Sequence, residues 1–170
     1  MSYWYTRFTS ELLSKVSVSL PNVLKRLELN CTSMKCGVLV RCLENLQALE
    51  SVVLNLKTVT NHKRKPLALS RKHWKHFEIE YRSPDTHAPM EQFIRCCLTS
   101  NPDLVSLSLR RVPVPSEIVN VIKSLTKLEK LELTDQRILP SKAAALNEIF
   151  SNGANLKVLG ITATSGTYIM

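Results

Sequence analysis

The chain has 170 residues and a net charge of +9, and hydrophobic and charged residues make up 44% and 22% of it. These values are typical of a globular domain and exclude a wholly disordered chain. No apolar run approaches the roughly 18 residues that a membrane span needs, so we expect no membrane partner. The first residues lack the basic and then apolar pattern of a secretory signal. We therefore expect a cytoplasmic or nuclear protein whose five cysteines are reduced.

Residues 1–23 are predicted to form an N-terminal cap helix. Apolar side chains at Leu12, Leu13 and Val16 have helical spacing in this segment. Such a helix would cover the end of the apolar core that the following residues build.

A short motif, L-x-x-L-x-L with other apolar residues at some positions, recurs between residues 24 and 164. Its six copies begin at Leu24, Leu49, Trp74, Leu104, Leu128 and Leu156. The middle apolar residues occupy positions 27, 52, 77, 107, 131 and 159, so the intervals are 25, 25, 30, 24 and 28 residues. Alternate side chains of an extended segment point to opposite faces, so each copy predicts a short strand.

Between the copies, the apolar spacing changes to that of a helix. The segments around Val40, Ile94, Ile122 and Ile149 each carry apolar residues three or four positions apart. Segment 60–70 is basic and contains a proline, so we predict a loop there. The prediction is an α/β chain built from repeated strand, turn and helix units.

This pattern resembles the leucine-rich repeat family, in the longer, helix-bearing class that includes ribonuclease inhibitor and F-box leucine-rich repeat proteins. The resemblance covers residues 24–164 with about six repeats, and residues 165–170 remain as a tail. It implies an α/β solenoid with short parallel strands on the concave face and helices on the convex face. It also implies a non-catalytic protein-interaction module, similar to the part of an F-box receptor that recognises substrates for a cullin-type ubiquitin ligase.

Binding by such a solenoid is expected at the outward positions of the strands, where polar side chains of both charge signs recur. The predicted protein-binding surface consists of Arg26, Glu28, Asn30, Asn55, His76, Glu78, Glu80, Ser106, Ser108, Arg110, Lys130, Glu132 and Thr134. We expect a protein partner there, and the resemblance adds ubiquitin ligase subunits.

A basic segment, residues 57–76, offers an alternative function because it contains no acidic residue. Its predicted basic patch consists of Lys63, Arg64, Lys65, Arg71, Lys72 and Lys75. Such a patch would suit nucleic acid or another acidic surface, and phosphate binding of this kind weakens steeply with salt. Binding through the mixed-charge strand positions should weaken less. No run of exposed aromatic residues is predicted for base stacking.

The candidate chemical groups are scattered, so we predict neither an enzyme nor a cofactor or metal site. His73 and His76 lack two further ligands at suitable spacing. Cys96 and Cys97 are adjacent, whereas zinc and redox motifs use C-x-x-C. The sequence contains no nucleophile elbow, zinc-protease motif or phosphate-binding glycine loop.

Overall fold

The computed structural model describes residues 10–60, 67–82, 87–112, 114–136, 147, 149 and 155–163. The elements in chain order are α1 (Ser10–Ser19), β1 (Arg26–Lys35), α2 (Cys36–Asn45), β2 (Ser51–Thr60), β3 (His76–Tyr81), α3 (His87–Thr99), β4 (Ser106–Arg110), α4 (Ser116–Lys123), β5 (Lys130–Gln136) and β6 (Val158–Ala163). The six strands form one sheet, in which each strand pairs in parallel with the next along the chain. The predicted α/β class is confirmed.

All six copies of the apolar motif lead into strands, and their middle residues align across the sheet. Leu27 of β1 pairs with Val52 of β2, and the alignment continues to β6. β1 and β2 are 10 residues long and therefore extend beyond the motif. The extension keeps an apolar contact with the core, because Met34 and Val59 are buried and paired with each other.

The core lies between one face of the sheet and the helices. The second and fourth residues of β1 to β5 are buried apolar side chains on this face. The helices add the buried residues Leu39, Leu43, Phe93, Ile94, Ile118 and Ile122. Burying a side chain of this size stabilises the fold by about 1.5–3 kcal/mol, so the repeated apolar positions determine which face of each strand is interior.

A main-chain contact repeats where the strands begin. The carbonyl oxygen of Lys25 accepts hydrogen bonds from the amides of Glu50 and Ser51, at 2.8 and 3.0 Å. The same double contact, at 2.7–3.1 Å, is made to the next strand by the carbonyl oxygens of Glu50, Lys75, Val105 and Glu129. These entrance contacts hold each strand in register with the one before it.

The connection between β2 and β3 contains no helix in its described part, residues 67–75, and residues 61–66 lie outside the description. The segment is bound to the end of α3. The amide of Lys72 donates to the Ser100 carbonyl at 2.8 Å, and the Ser100 hydroxyl donates to the Leu69 carbonyl at 2.7 Å. The amide of Trp74 donates to the Asn101 side chain at 3.2 Å. Hydrogen bonds to the two residues that directly follow α3 thus fix the chain that leads into β3.

The ends of the chain are described in part. α1 lies within the predicted cap region 1–23 and packs against α2. Most of the predicted helix around Ile149 and the predicted tail 165–170 lie outside the described residues, although Ile149 itself is buried in the core. No helix in the described part of the chain is long and apolar enough to cross a membrane.

Candidate functional site

The side of the sheet opposite the core, here called the polar face, carries the first, third and fifth residues of each strand. Strand register aligns these residues in three rows. The first row is Arg26, Ser51, His76, Ser106, Lys130 and Val158; the second is Glu28, Val53, Glu78, Ser108, Glu132 and Gly160; the third is Asn30, Asn55, Glu80, Arg110, Thr134 and Thr162. All residues of the predicted protein-binding surface lie in these rows. Their role in binding stays a prediction.

Charged and short side chains alternate from strand to strand in the first two rows. β1, β3 and β5 each carry a base followed two residues later by a glutamate. The nitrogen–oxygen distances are 3.6 Å for Arg26–Glu28, 3.7 Å for His76–Glu78 and 2.9 Å for Lys130–Glu132. The other three strands, β2, β4 and the last strand β6, carry Ser51 and Val53, Ser106 and Ser108, and Val158 and Gly160. Since neighbouring strands lie about 4.8 Å apart, the charged strands recur about every 9.6 Å.

The longer side chains on either side cover part of the short residues. Val53 and Ser108 lie on the polar face, yet they are only 7% and 2% exposed. The Ser106 hydroxyl lies 3.1 Å from Nδ1 of His76. The buried Ser108 hydroxyl makes no hydrogen bond of ordinary geometry in the described part of the chain, but it lies close enough to the Glu132 carboxyl to help lower the pKa of that group. The short serines of β4 thus lie lower on the polar face than the charged side chains of β3 and β5 on either side.

Three arginines and two glutamates form a cluster near the carboxyl ends of β3 and β4. Arg82 donates to the Glu80 carboxylate from Nε at 2.9 Å and from Nη2 at 3.4 Å. Nη1 of Arg111 lies 3.8 Å from Oε1 of Glu80, and Nε of Arg110 lies 3.5 Å from Oε1 of Glu78. Arg82 and Arg111 were not among the predicted site residues, because both directly follow a strand and lie outside the repeated motif.

Protonation on the polar face follows burial and neighbouring charge. Burial lowers the pKa of His76 below its usual value of 6.5, so its imidazole is neutral at pH 7. Its contact with Glu78 is therefore no ion pair at that pH. The Lys130 ammonium beside Glu132 lowers the pKa of that carboxyl, which is ionised at pH 7.

The residues of the predicted basic patch differ in exposure, and only three of the six are described. Lys63, Arg64 and Lys65 lie outside the described residues, whereas Arg71 and Lys75 are exposed. Lys72 differs from the prediction because its side chain is only 2% exposed.

Lys72 instead contacts the carboxyl end of α2. Its Nζ donates to the Glu44 carbonyl oxygen at 2.7 Å and lies 3.8 Å from the Glu44 carboxylate. A cation is favourable at this end of a helix, where carbonyl groups lack partners within the helix. Burial lowers the pKa of Lys72. Lys72 therefore holds the connection before β3 in place and offers no surface for a phosphate.

Asp103 joins three segments that precede strands, and no sequence pattern indicated this cluster. Its carboxylate accepts hydrogen bonds from Nζ of Lys127 at 2.5 Å and Nη2 of Arg71 at 3.4 Å, and lies 3.6 Å from Nδ1 of His73. The hydrogen bond from Lys127, helped by Arg71, lowers the pKa of Asp103 to about 2. Arg71 of the basic patch is thus already paired with an acid.

The described residues offer little for metal or thiol chemistry. They include no group of three or more His, Cys, Asp or Glu side chains that could hold a metal ion. The five cysteines are free thiols, and burial raises the pKa of Cys36 and Cys42 to about 11, so both stay protonated at pH 7.

Comparisons of the chain with protein-family models, curated proteins and solved structures found no match.

Proposed function

We propose that the chain is a leucine-rich repeat solenoid that binds a protein partner through its polar face and carries out no catalysis. The observation that carries this proposal is the alignment of the three polar rows on one side of a parallel sheet. Parallel sheets in other α/β proteins usually have both faces covered by helices. Repeat proteins are the main class that uses an open, extended surface of this kind for binding.

The more specific role that we propose is recognition of substrates for a cullin-type ubiquitin ligase. Its support is the resemblance of the six motif copies to the repeats of F-box leucine-rich repeat proteins. Ligase subunits would then be present in the same complex as the bound substrate, which gives the proposal a second observable consequence.

Charge reversal on the polar face tests the proposal. The variant Glu78→Lys/Arg110→Glu/Lys130→Glu changes one residue on each of three adjacent strands, β3, β4 and β5. We expect proteins captured from nuclease-treated lysate by the native chain to be lost with this variant, because charged pairs across an interface fix its orientation and exclude wrong partners. Quantitative mass spectrometry of the captured proteins measures the loss.

A matched control has the same change of net charge on the helices. Arg41, Glu91 and Arg95 lie on α2 and α3, away from the polar face, and the control is Arg41→Glu/Glu91→Lys/Arg95→Glu. It should retain the captured proteins, and both variants should melt cooperatively. Equal capture by the native chain and the polar-face variant would contradict the proposal. A parallel capture from untreated lysate completes the test, and proteins present there but absent after nuclease treatment would instead favour the basic segment 57–76.

A further inference from the structure

We propose that the partner of the polar face is an acidic protein segment, whose carboxylates bind the arginines near the carboxyl ends of β3 and β4. This inference rests on the proposed function and adds the chemistry of the partner. It follows from the depth at which acids and bases lie on the face, from the geometry of the arginines and from the spacing of the glutamates.

The acids of the arginine cluster lie deeper than the bases that pair with them. The Glu80 side chain is 16% exposed, whereas those of Arg82 and Arg111 are 58% and 53% exposed. The Glu78 side chain is 23% exposed and that of Arg110 is 44% exposed. An approaching molecule therefore meets three guanidinium groups before it meets either carboxylate.

The same layering occurs on the outer charged strands. The Arg26 side chain is 67% exposed, and Glu28, which pairs with it, is less exposed at 41% but still accessible. The Lys130 side chain is 43% exposed above Glu132, which is 29% exposed. The polar face is thus near neutral by residue count, but on β3 to β5 the side chains of its bases are more exposed than those of its acids.

The deep glutamates also orient the arginines. Glu80 engages one edge of the Arg82 guanidinium through Nε and Nη2. A guanidinium is planar and has donors on more than one edge, so the solvent-exposed part of this group remains suited to a second carboxylate. Arg111 has a φ of 56°, in the left-handed region that non-glycine residues rarely adopt. Such backbone strain often occurs where a side chain is held for binding.

The arrangement favours a protein segment over a nucleic acid. Duplex DNA carries a negative charge about every 1.7 Å along its axis, so it would place phosphates against the glutamates as well as the arginines. Separate carboxylates on a protein segment can contact the arginines and avoid Glu28, Glu78 and Glu132. The three rows of the polar face also contain no Phe, Tyr or Trp side chain for stacking bases.

The test titrates the full chain with three synthetic peptides of equal length, in which threonine alternates with glutamate, glutamine or lysine. A single-stranded oligothymidylate serves as the polyanion. NMR shifts of backbone amides locate each probe and give its dissociation constant. We expect the glutamate peptide to bind at β3 to β5 at least about tenfold more tightly than the other probes. We expect Arg82→Gln/Arg110→Gln to weaken that binding by about tenfold, because it removes two of the outermost cations.

The control variant Arg41→Gln/Arg95→Gln removes the same number of exposed arginines from α2 and α3, and it should leave the glutamate peptide bound. Preference for the lysine peptide, tighter binding of oligothymidylate at these strands, or equal weakening by both variants would each overturn the inference. The capture experiment tests the proposed function separately. Loss of captured proteins on charge reversal, without binding of the glutamate peptide, would refute the acidic partner and leave the protein-binding face intact.

Discussion

The two faces of the sheet carry residue patterns that repeat at different intervals from strand to strand. On the core face of β1 to β5, every strand supplies buried apolar residues at its second and fourth positions. On the polar face, a base followed by a glutamate recurs only on β1, β3 and β5. Packing against the helices requires the shorter interval but does not require the longer one. The difference teaches that the sequence of each strand obeys two constraints, one from the core and one from the surface.

Truncation of a core residue should have the largest effect. Leu107 of β4 is fully buried, so Leu107→Ala removes apolar contacts and leaves a cavity between the sheet and the helices. We expect the free energy of unfolding to fall by about 2–5 kcal/mol. Urea denaturation followed by circular dichroism measures the change.

The adjacent residue supplies the control, because Ser108 faces the opposite side of the same strand. Ser108→Ala removes a buried hydroxyl that makes no hydrogen bond of ordinary geometry in the described residues and interacts only weakly with the Glu132 carboxyl, so stability should change by less than about 1 kcal/mol. If Ser108→Ala destabilised the chain as much as Leu107→Ala does, the energetic distinction between the two faces would be wrong.

Truncation of Lys72 should have an intermediate effect on stability, because this charged side chain is buried. Lys72→Ala removes a buried aliphatic stem and the hydrogen bond to the Glu44 carbonyl at the end of α2. We expect a loss of about 1–3 kcal/mol in the free energy of unfolding, measured in urea. Lys75→Ala is the matched control, because Lys75 is exposed, and it should change stability by less than about 0.5 kcal/mol. Equal effects of the two variants would contradict the buried role of Lys72.

Asp103 should give the smallest effect, and one that depends on pH. Its pKa in the folded chain is about 2, below the ordinary value of 3.8. The ionised carboxylate therefore stabilises the fold at pH values above about 4. This contribution is lost as pH falls from roughly 4 to 2. The urea midpoint of Asp103→Asn should therefore lie below that of the native chain at pH 7, and the gap should narrow across that window. A gap independent of pH would show that the charge of Asp103 is irrelevant.

The strands and the polar face were predictable because both depend on local alternation. Each L-x-x-L-x-L copy sets which side chains face the core, and parallel pairing in sequence order then aligns the remaining ones. Lys72 was mispredicted as a surface residue because its contact, the Glu44 carbonyl, lies 28 residues earlier. The Asp103 cluster likewise depends on segments that only the folded sheet brings together. The left-handed backbone conformation of Arg111 could not be predicted from the sequence either, because arginine does not favour it.

The entrance contacts do not depend on which side chains stand at the beginning of each strand. Both partners are main-chain atoms, which every amino acid except proline supplies in full. The accepting positions accordingly hold Lys25, Glu50, Lys75, Val105 and Glu129 with the same hydrogen bonds. Charge at this edge of the sheet can therefore be rewritten one position at a time, by natural variation or by design, while the strands keep their alignment.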